Sequence, residues 1–446
     1  MTKNTLLDSN AKDDTGAESL FKEAIIRIEG GHPLHGSVRI QGSKNATLPI
    51  LAACLLIPGK CVIHNCPMIT DVTYMLKLLE YAGCIVERKG SDVIIDACHI
   101  SEFRLPGSYV RKMRSSVILM GALLGRIHEV GIDYPGGCVI GERPIDLHLR
   151  GLEALGANIS IEGNYIYASA KKLQGTTISF PFSSVGATQN VLLAAVLAEG
   201  ETCIHNAAKE PEIEALCHFL KLAGADIEGA GTGQIVVRGV EELHPVEYEM
   251  IPDRIVAGTY LFAAMAAGGE IDLKSVPIAH LESVLHVIRD MGGELLVRHA
   301  DLEVRLQVGM NTKNLPFIET DVYPGFPTDL QSPLLSTAVV TKGSLLLKEK
   351  IFPGRFKIVE ELCRMGANIR EEQDCVLIGG SSALEGRNVI ARELRGGAAL
   401  VIAGLAARGI TTIMDTSYIY RGYEDIVRDL RALDACITID KADLSY

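Results

Sequence analysis

Residues 216–228 read LCHFLKLAGADIE, and this stretch decides the fold because the chain repeats it. Apolar residues at helical spacing lead to Gly224, which suits a helix end, and an alternating strand pattern follows. Similar stretches occupy residues 75–87, 149–161, 284–296, 358–370 and 427–439. Their turn residues are separated by 73, 68, 68, 74 and 68 positions: Gly83, Gly156, Gly224, Gly292, Gly366 and Asp434. The sequence therefore predicts six copies of one structural unit.

A second helical segment, apolar nearly all round, precedes each of these stretches. Such a helix must be buried on every side. The segments are residues 46–56, 115–125, 187–198, 257–267, 330–340 and 397–407. A short strand pattern such as GKCVIHN at 59–65 follows most of them, and HEVGIDY at 128–134 departs from it. Each unit thus reads as strand, buried helix, strand, surface helix, strand.

The predicted fold class is α/β, with the six units grouped into two domains of three. A chain of 446 residues is too long for one core. The link is expected near Glu249–Arg254, so the predicted domains are residues 44–251, with a cysteine loop, and residues 24–43 plus 252–446. The first strand, Glu23–Gln41, precedes the first unit and is compatible with either domain. Residues 1–23 are polar, lack the apolar segment of a secretory signal, and are predicted to be a disordered tail.

Composition excludes several classes of function. A net charge of −12 argues against a nucleic-acid surface. No apolar run reaches the roughly 18 residues that a membrane span needs. Eleven cysteines without a CxxC pair predict reduced thiols and a cytoplasmic location. Cys54, Cys203, Cys217 and Cys363 lie in apolar patterns and are predicted to be small core residues.

The most prominent candidate site is YPGGCVIGERPIDLHL at 134–149. Two glycines place Cys138 in a turned or mobile loop rather than in an apolar run. Arg143 favours a reactive thiol and can hold an anion beside it. Pro144 fits the first turn of a helix, with Asp146 near its positive end. The alternative is a structural thiol, but the pattern favours a site for an anionic, electrophilic substrate.

A second set of candidate residues stands at the starts of the buried helices. Helix N-termini present free N–H groups and partial positive charge, and basic side chains there make anion sites. The residues are Lys44, Asn45, Arg114, Ser184, Arg254, Asp329 and Arg395. Helix starts that face a common cleft would make it electropositive inside an acidic protein. The alternative is that the basic residues only cap the edges of buried helices.

Ten motifs resemble the enolpyruvyl transferases that act on UDP-N-acetylglucosamine, a branch of the EPSP synthase family. The resemblance covers residues 24–440. The motifs are GSKNATLPIL at 42–51, MRSSVILMG at 113–121, PGGCVIGERPIDLH at 135–148, SVGATQN at 184–190, NAAKEPEI at 206–213, PDRIVAGT at 252–259, YPGFPTDLQ at 323–331, GRF at 354–356, LRGGAAL at 394–400 and YRGYE at 420–424.

This resemblance implies a two-domain inside-out α/β barrel of six βαβαββ-type units, three per domain. The implied reaction transfers the enolpyruvyl group of phosphoenolpyruvate to the 3′-hydroxyl of UDP-N-acetylglucosamine and releases phosphate. It is the first committed step of peptidoglycan synthesis. The implied partners are these two small molecules, without a metal, an organic cofactor, nucleic acid or a membrane. The oligomeric state is left open.

The resemblance also implies roles for individual residues. Cys138 matches the loop cysteine that acts as general acid and is the target of fosfomycin, and Asp329 matches the base for the sugar hydroxyl. By residue type alone, Asp329 is an N-cap. Catalytic roles are implied for Cys138, Asp329, Lys44 and Arg395. The implied phosphoenolpyruvate ligands are Lys44, Asn45, Arg114, Arg143, Arg395 and Arg421. The implied UDP-N-acetylglucosamine ligands are Asn45, Arg114, Arg143, Pro144, Ile145, Asp146, Leu147, Ser183, Ser184, Val185, Gly186, Asp329 and Ile351.

Other matched positions are less specific. Asp253, Arg254 and Glu210 match positions associated with domain closure and the cleft rim. His148 matches a cleft histidine but is equally consistent with a packing role. For Arg421 and Arg355 the alternative is surface ion pairing with nearby carboxylates.

The sequence departs from the family pattern at two points. Some members carry a lysine before the SVGAT loop, where this chain has Phe182 and Ser183, and Tyr323 stands where histidine is common. Both changes bear on affinity more than on the reacting groups. Two other functions remain as alternatives. A shikimate-type enolpyruvyl transferase would lack the loop cysteine, and a non-catalytic regulatory protein that binds UDP-N-acetylglucosamine would not need the acid.

Overall fold

The repeats appear as six sheets in the structure, a computed structural model. It describes residues 24–136, 144–309, 311–352 and 354–441. The predicted N-terminal tail, residues 1–23, lies outside the described residues. In the described ranges, each of the six sheets mixes parallel and antiparallel strand contacts. The α/β fold class is therefore confirmed.

A surface helix is present in each unit, as predicted. These helices are Thr70–Ala82, Asp146–Ala154, Pro211–Leu222, Glu282–Asp290, Ile358–Arg364 and Ile426–Arg431. Each one is followed within three residues by its predicted turn residue. The five glycines have φ between 95° and 113°, and Asp434 has φ 61°. Glycine adopts this left-handed conformation without the clash that a Cβ causes, which explains the repeated Gly.

The other helix of each unit, which precedes the surface helix in sequence, is buried along nearly its whole length, again as predicted. These helices are Lys44–Ala53, Leu119–Ile127, Val185–Ala195, Arg254–Ala267, Gln331–Val340 and Leu394–Ala406. Two of them are preceded by a tighter 3₁₀ turn, at Arg114–Ile118 and Thr328–Leu330. Further short elements are the helix Gly107–Val110 and the 3₁₀ turns Cys54–Leu56, Ile278–His280 and Thr416–Arg421.

The strands wrap around these buried helices. Neighbouring strands in each of the following lists are hydrogen-bonded to each other. In the first half the three sheets are Glu247–Glu249, Lys60–His64, Asp92–Asp96, Ile85–Lys89; Glu129–Asp133, Tyr165–Ser169, Asn158–Glu162; and Asp226–Glu228, Gln234–Arg238, Glu201–His205, Thr177–Ser179. The other three sheets are Gly293–Arg298, Glu303–Val308, Gly269–Lys274, Leu34–Arg39; Phe317–Glu319, Ser344–Lys348, Cys375–Gly379, Asn368–Glu372; and Asn388–Ile390, Ile410–Met414, Ala24–Glu29, Cys436–Lys441. The second sheet has three strands, and only a bridge between Arg104 and Gly131 stands where the others have a fourth strand. This is the copy whose strand pattern departed in the sequence.

Chain segments from far apart in sequence close each half. Glu247–Glu249 pairs in parallel with Lys60–His64 of the first unit. The segment 24–39 forms two strands rather than the single strand predicted. Leu34–Arg39 pairs with Gly269–Lys274, and Ala24–Glu29 lies between the last two strands of the chain's sixth unit.

Two hydrophobic cores result. One is built from residues between Ala46 and Met250, and the other from residues 26–40 together with residues between Ile255 and Ile437. We propose that the domains divide between these cores, at 44–251 and at 24–43 plus 252–446. None of the helices in the described ranges is long and apolar enough to span a membrane.

Cysteine burial was only partly predicted. Cys54 and Cys217 are buried as expected, but Cys203 is half-buried and Cys363 is exposed. Cys203 points outward from its strand, since the alternate residues Thr202 and Ile204 are buried. The core assignment of Cys203 and Cys363 was therefore wrong.

Truncation of one helix at two leucines tests the packing of the first core. Leu220 is 0% exposed and Leu222 is 52% exposed on the same helix. We expect Leu220→Ala to lower the free energy of unfolding by about 2–5 kcal/mol, because it leaves a cavity. The matched Leu222→Ala change should stay within about 0.5 kcal/mol. Urea unfolding followed by circular dichroism measures both, and equal effects would contradict this packing.

Candidate active site

Asp253 joins the starts of two buried helices, one from each core. Its Oδ1 accepts hydrogen bonds from Ile255 N at 2.8 Å and Val256 N at 3.0 Å, so it caps the helix Arg254–Ala267. Its Oδ2 accepts the backbone N–H of Lys44 at 3.0 Å, the first residue of the helix Lys44–Ala53. The two positive helix ends therefore meet at one buried carboxylate. Burial raises the pKa of Asp253 despite the Arg395 charge.

Asp71 holds two cations that come from different halves of the molecule. Lys44 Nζ lies 2.9 Å from Asp71 Oδ2. Arg421 donates from Nε to Oδ1 at 2.8 Å and from Nη2 to Oδ2 at 3.2 Å. Asp71 is only 2% exposed. Burial opposes its ionisation, but Lys44 and Arg421 outweigh it and hold the pKa of Asp71 below its usual value.

Lys44 experiences the opposite balance. Burial lowers the pKa of its ammonium group, and the charges of Arg421 and Arg395 lower it further, whereas Asp71 raises it. The net direction is downward, because the group is removed from water among other cations. A second anion near Lys44 would relieve this repulsion.

Asp329 is the second shared carboxylate. Its Oδ1 accepts from Arg355 Nη2 at 2.6 Å, and its Oδ2 accepts from Arg395 Nη2 at 2.9 Å and Asn45 Nδ2 at 3.3 Å. Although burial opposes ionisation, the two guanidinium groups hold the pKa of Asp329 well below its usual value. The N-cap interpretation of Asp329 was wrong, because none of these contacts is to a helix N–H. Arg355 is 4% exposed, so its surface ion-pair interpretation was wrong as well.

Arg395 is fixed in place but keeps one donor open. Its backbone N–H donates to Glu393 Oε2 at 2.7 Å, where Glu393 caps the helix Leu394–Ala406. Its guanidinium carbon lies 5.9 Å from the centre of the Tyr423 ring. Nη2 binds Asp329, whereas the buried Nη1 has no hydrogen-bond partner within the ranges that the structure describes. A buried donor without a partner is costly and indicates where an anion can bind.

Glu349 and Thr328 are connected to Asp329 through Arg355. The Thr328 hydroxyl lies 2.9 and 3.0 Å from the two oxygens of Glu349, and it accepts from Arg355 Nη1 at 2.9 Å. Glu349 also accepts the backbone N–H of Ile351 at 2.8 Å. One chain of hydrogen bonds thus connects the predicted sugar contact Ile351 with Asp329.

The predicted nucleotide-sugar segments pack against each other. Ser184 caps the helix Val185–Ala195 by accepting from Ala187 N at 3.4 Å. A Cβ on Gly186 would lie 2.8 Å from the His148 ring, so only glycine allows this approach. His148 is buried, with Nδ1 3.1 Å from Asn190 Nδ2, which favours the packing role considered for it.

The helix that carries His148, Asp146–Ala154, begins later than predicted. The helix begins at Asp146, as its position near the positive end required. Pro144 and Ile145 lie before it, so Pro144 is not in its first turn as predicted. Leu147 is buried in the first turn and Asp146 is half-buried.

Not every predicted residue joins this cluster. Arg114 begins a 3₁₀ turn with its guanidinium carbon 6.0 Å from the centre of the Tyr134 ring. Arg254 pairs with Glu212 at 3.0 and 3.3 Å. Cys138 and Arg143 lie outside the described residues. The residues that the structure does bring together are Lys44, Asn45, Asp329, Arg395 and Arg421.

The departures from the family pattern are visible as well. Phe182 is 61% exposed just before the half-buried Ser184 cap, and Ser183 is half-buried. The Tyr323 ring lies under Arg254, 5.7 Å from its guanidinium carbon. Glu210 lies near Arg254. Burial and the charge of Glu212 raise the pKa of Glu210, and the charge of Arg254 offsets part of this rise. Tyr323 thus contributes a ring contact to Arg254.

Sequence reasoning missed Asp71, Glu349 and Thr328. Asp71 looks like an ordinary acidic residue in the first turn of an amphipathic helix. Glu349 lies in a charged stretch, KEK, that suggests a solvated loop. No local pattern distinguishes them, because their partners lie far away in sequence.

Solved structures place this fold among the enolpyruvyl transferases. The enolpyruvyl transferase NikO from Streptomyces tendae matches with a TM-score of 0.85 and 26% identity, over 94% of this chain and all of that one. An EPSP synthase from Acinetobacter baumannii matches with a TM-score of 0.72 at 18% identity, a likeness of fold over 94% of this chain and 100% of that one.

Sequence comparison gives the family. Residues 28–430 match the family described as EPSP synthase (3-phosphoshikimate 1-carboxyvinyltransferase), and the chain belongs to it. A UDP-N-acetylglucosamine 1-carboxyvinyltransferase 2 from Caldanaerobacter subterraneus subsp. tengcongensis is 46% identical over 92% of this chain and 98% of its own length. A UDP-N-acetylglucosamine 1-carboxyvinyltransferase from Clostridium botulinum is 44% identical over 92% and 99%.

Acid stability tests the environment of Asp329. A carboxylate with a lowered pKa in the folded state adds stability above its unfolded pKa, about 4, and loses it as the pH falls. We therefore expect Asp329→Asn to lower the melting temperature most at pH 5–7, with a smaller difference from wild type at pH 3. Asp374→Asn, at an exposed ion pair, is the matched control. A difference that stays constant from pH 7 to pH 3 would contradict the lowered pKa.

Proposed function

We propose that this protein transfers the enolpyruvyl group of phosphoenolpyruvate to the 3′-hydroxyl of UDP-N-acetylglucosamine and releases phosphate. It is then a UDP-N-acetylglucosamine 1-carboxyvinyltransferase, EC 2.5.1.7, which acts at the first committed step of peptidoglycan synthesis. The observation that carries this proposal is the buried cation cluster around Asp71 and Asp329, at the junction of the two cores. The names of the relatives supply the acceptor. We place the reaction in the cytoplasm.

The cluster suits the anionic donor substrate. Arg421 and Arg395 lie close enough to Lys44 for their charges to add to the lowering of its pKa that burial causes. Guanidinium groups match the paired oxygens of carboxylate and phosphate, and among the described residues Arg395 Nη1 has no hydrogen-bond partner. Arg114, Arg143 and Asn45 complete the proposed binding set. Cations fixed in advance also stabilise charge that develops during the reaction.

Substrate binding would change the proton affinity of Asp329. In the structure Arg395 and Arg355 both stabilise the Asp329 carboxylate, so it is a weak base. When the substrate anion engages Arg395, Asp329 shares this positive charge with the substrate. Its pKa then rises towards the range in which a carboxylate accepts a proton from a sugar hydroxyl. Asp329 would therefore become a better base only when phosphoenolpyruvate is present.

The other roles follow from position. Cys138 would deliver the proton to C3 of phosphoenolpyruvate. Pro144, Ile145, Asp146 and Leu147 would bind the uridine and pyrophosphate together with the second loop, Ser183, Ser184, Val185 and Gly186. Ile351 would contact the sugar, positioned by Glu349. The shikimate-type and regulatory alternatives have no observation in their favour.

Phosphate release is the decisive assay for this function. We expect release from phosphoenolpyruvate to require UDP-N-acetylglucosamine and to be absent with shikimate 3-phosphate as acceptor. Cys138→Ala should abolish release while leaving binding of the nucleotide sugar, measured by calorimetry, intact. Folded protein that binds the nucleotide sugar but releases no phosphate would leave only the regulatory alternative.

Asp71 provides a second test, because it should act by positioning Lys44 and Arg421 rather than by touching the substrate. Asp71→Asn removes the charge that orients both cations. We expect kcat/KM for phosphoenolpyruvate to fall by about 100-fold, as displacement of binding groups by an ångström can cost that much. Binding of UDP-N-acetylglucosamine should change little. Asp301→Asn, at an exposed loop position, is the control, and equal activity of the two variants would contradict the positioning role.

A further inference from the structure

A cysteine and a histidine lie in contact on the outer face of the sheet that contains Glu201–His205. Cys203 and His205 are alternate residues of this strand, and Cys203 Sγ lies 3.5 Å from His205 Nε2. Both side chains are half-buried. Gln234, opposite His205 on the neighbouring antiparallel strand, donates from Nε2 to the same sulfur at 3.5 Å. The sulfur therefore has both an imidazole and an amide donor beside it.

This arrangement has the parts of an activated thiol. A thiol reacts as its thiolate, and an adjacent imidazole can take up its proton. An amide N–H that points at the sulfur stabilises the negative charge that results. Glu201, on the same face of the strand, would oppose a thiolate. Glu201 Oε2 lies 3.1 Å from Nε of Arg238, which also pairs with Asp226 and Glu228 and therefore offsets the Glu201 charge only in part.

The other accessible thiols lack this environment. Cys98 lies beside Asp96, and their hydrogen bond raises the pKa of Cys98, which keeps it protonated. Cys375 donates its S–H to the backbone oxygen of Glu372 at 3.2 Å. Among the accessible thiols that the structure describes, Cys203 alone has a histidine nitrogen in contact.

We propose that Cys203, His205 and Gln234 form a reactive-thiol site that hydrogen peroxide oxidises to a sulfenic acid. In the tautomer with Nε2 unprotonated, His205 takes the thiol proton. A sulfur lone pair then attacks one peroxide oxygen, an S–O bond forms and the O–O bond breaks. The departing hydroxide receives the proton from His205 and leaves as water. The sulfur loses two electrons and the peroxide gains them.

This site is separate from the cation cluster. Cys203 pairs with Thr177 on the neighbouring strand Thr177–Ser179. On its own strand, Glu201–His205, the side chains of Thr202 and Ile204 face the core. None of the contacts of Cys203 described above involves a residue of the proposed substrate sites. Cys203→Ser should therefore leave phosphate release unchanged. The proposed oxidation does not depend on the proposed function.

Sulfenic acid trapping with dimedone tests the proposal directly. The folded wild-type chain is treated with hydrogen peroxide, and each cysteine peptide is quantified by mass spectrometry. We expect Cys203 to be trapped about tenfold faster than Cys98 or Cys436, the exposed thiols that serve as internal controls. His205→Asn should bring the Cys203 rate to within about threefold of Cys98, and Gln234→Leu should lower it less.

Two results would overturn the proposal. One is a wild-type Cys203 rate no greater than that of Cys98. The other is an unchanged Cys203 rate in His205→Asn, which would mean that access alone governs the reaction. Circular dichroism verifies that each variant is folded, and Gln234→Leu, whose side chain is exposed, provides the test if His205→Asn does not fold. An unchanged rate in Gln234→Leu would then count against the site.

Discussion

The burial of several cations around two carboxylates is the constraint on which the site depends. An unpaired charge in the interior costs several kcal/mol, and removal of one partner of a buried pair costs about 3–5 kcal/mol. Asp71 compensates Lys44 and Arg421, and Asp329 compensates Arg395 and Arg355. With four cations and two carboxylates, this set keeps a positive balance that a substrate anion can complete.

The repeated fold explains why these charges meet. Each unit buries one helix, and the helices that begin at Lys44, Arg254 and Leu394 have their positive ends near the junction of the two cores. Asp253 binds two of these ends at once. Asp71 comes from the first core's half and Arg421 from the second, so the pair also spans the junction. Gln41, within the second half, holds the segment that follows Arg421, because it donates to Gly422 O at 3.1 Å and accepts from Glu424 N at 2.8 Å.

The sequence predicted the architecture well because the repeat is a local pattern. Gly83 and its equivalents mark helix ends, and apolar periodicity separates buried from surface helices. The basic helix starts at Lys44 and Arg395 were likewise visible. Asp71 and Glu349 could not be found, because Asp71 pairs with Arg421, 350 positions away, and Glu349 pairs with Thr328, 21 positions away, and only the fold brings these partners near. Cys203 was misassigned because an apolar strand pattern was taken to bury both faces, whereas strands alternate between faces.

We propose that Asp71 couples Lys44 of one half and Arg421 of the other into one functional unit. A double-mutant cycle with Asp71→Asn and Arg421→Gln, read out as kcat/KM for phosphoenolpyruvate, measures that coupling directly. If the two residues act together, the double variant should be little worse than the more severe single variant, with a coupling energy above about 1 kcal/mol. Effects that simply add would show that the two residues act independently and would contradict this coupling.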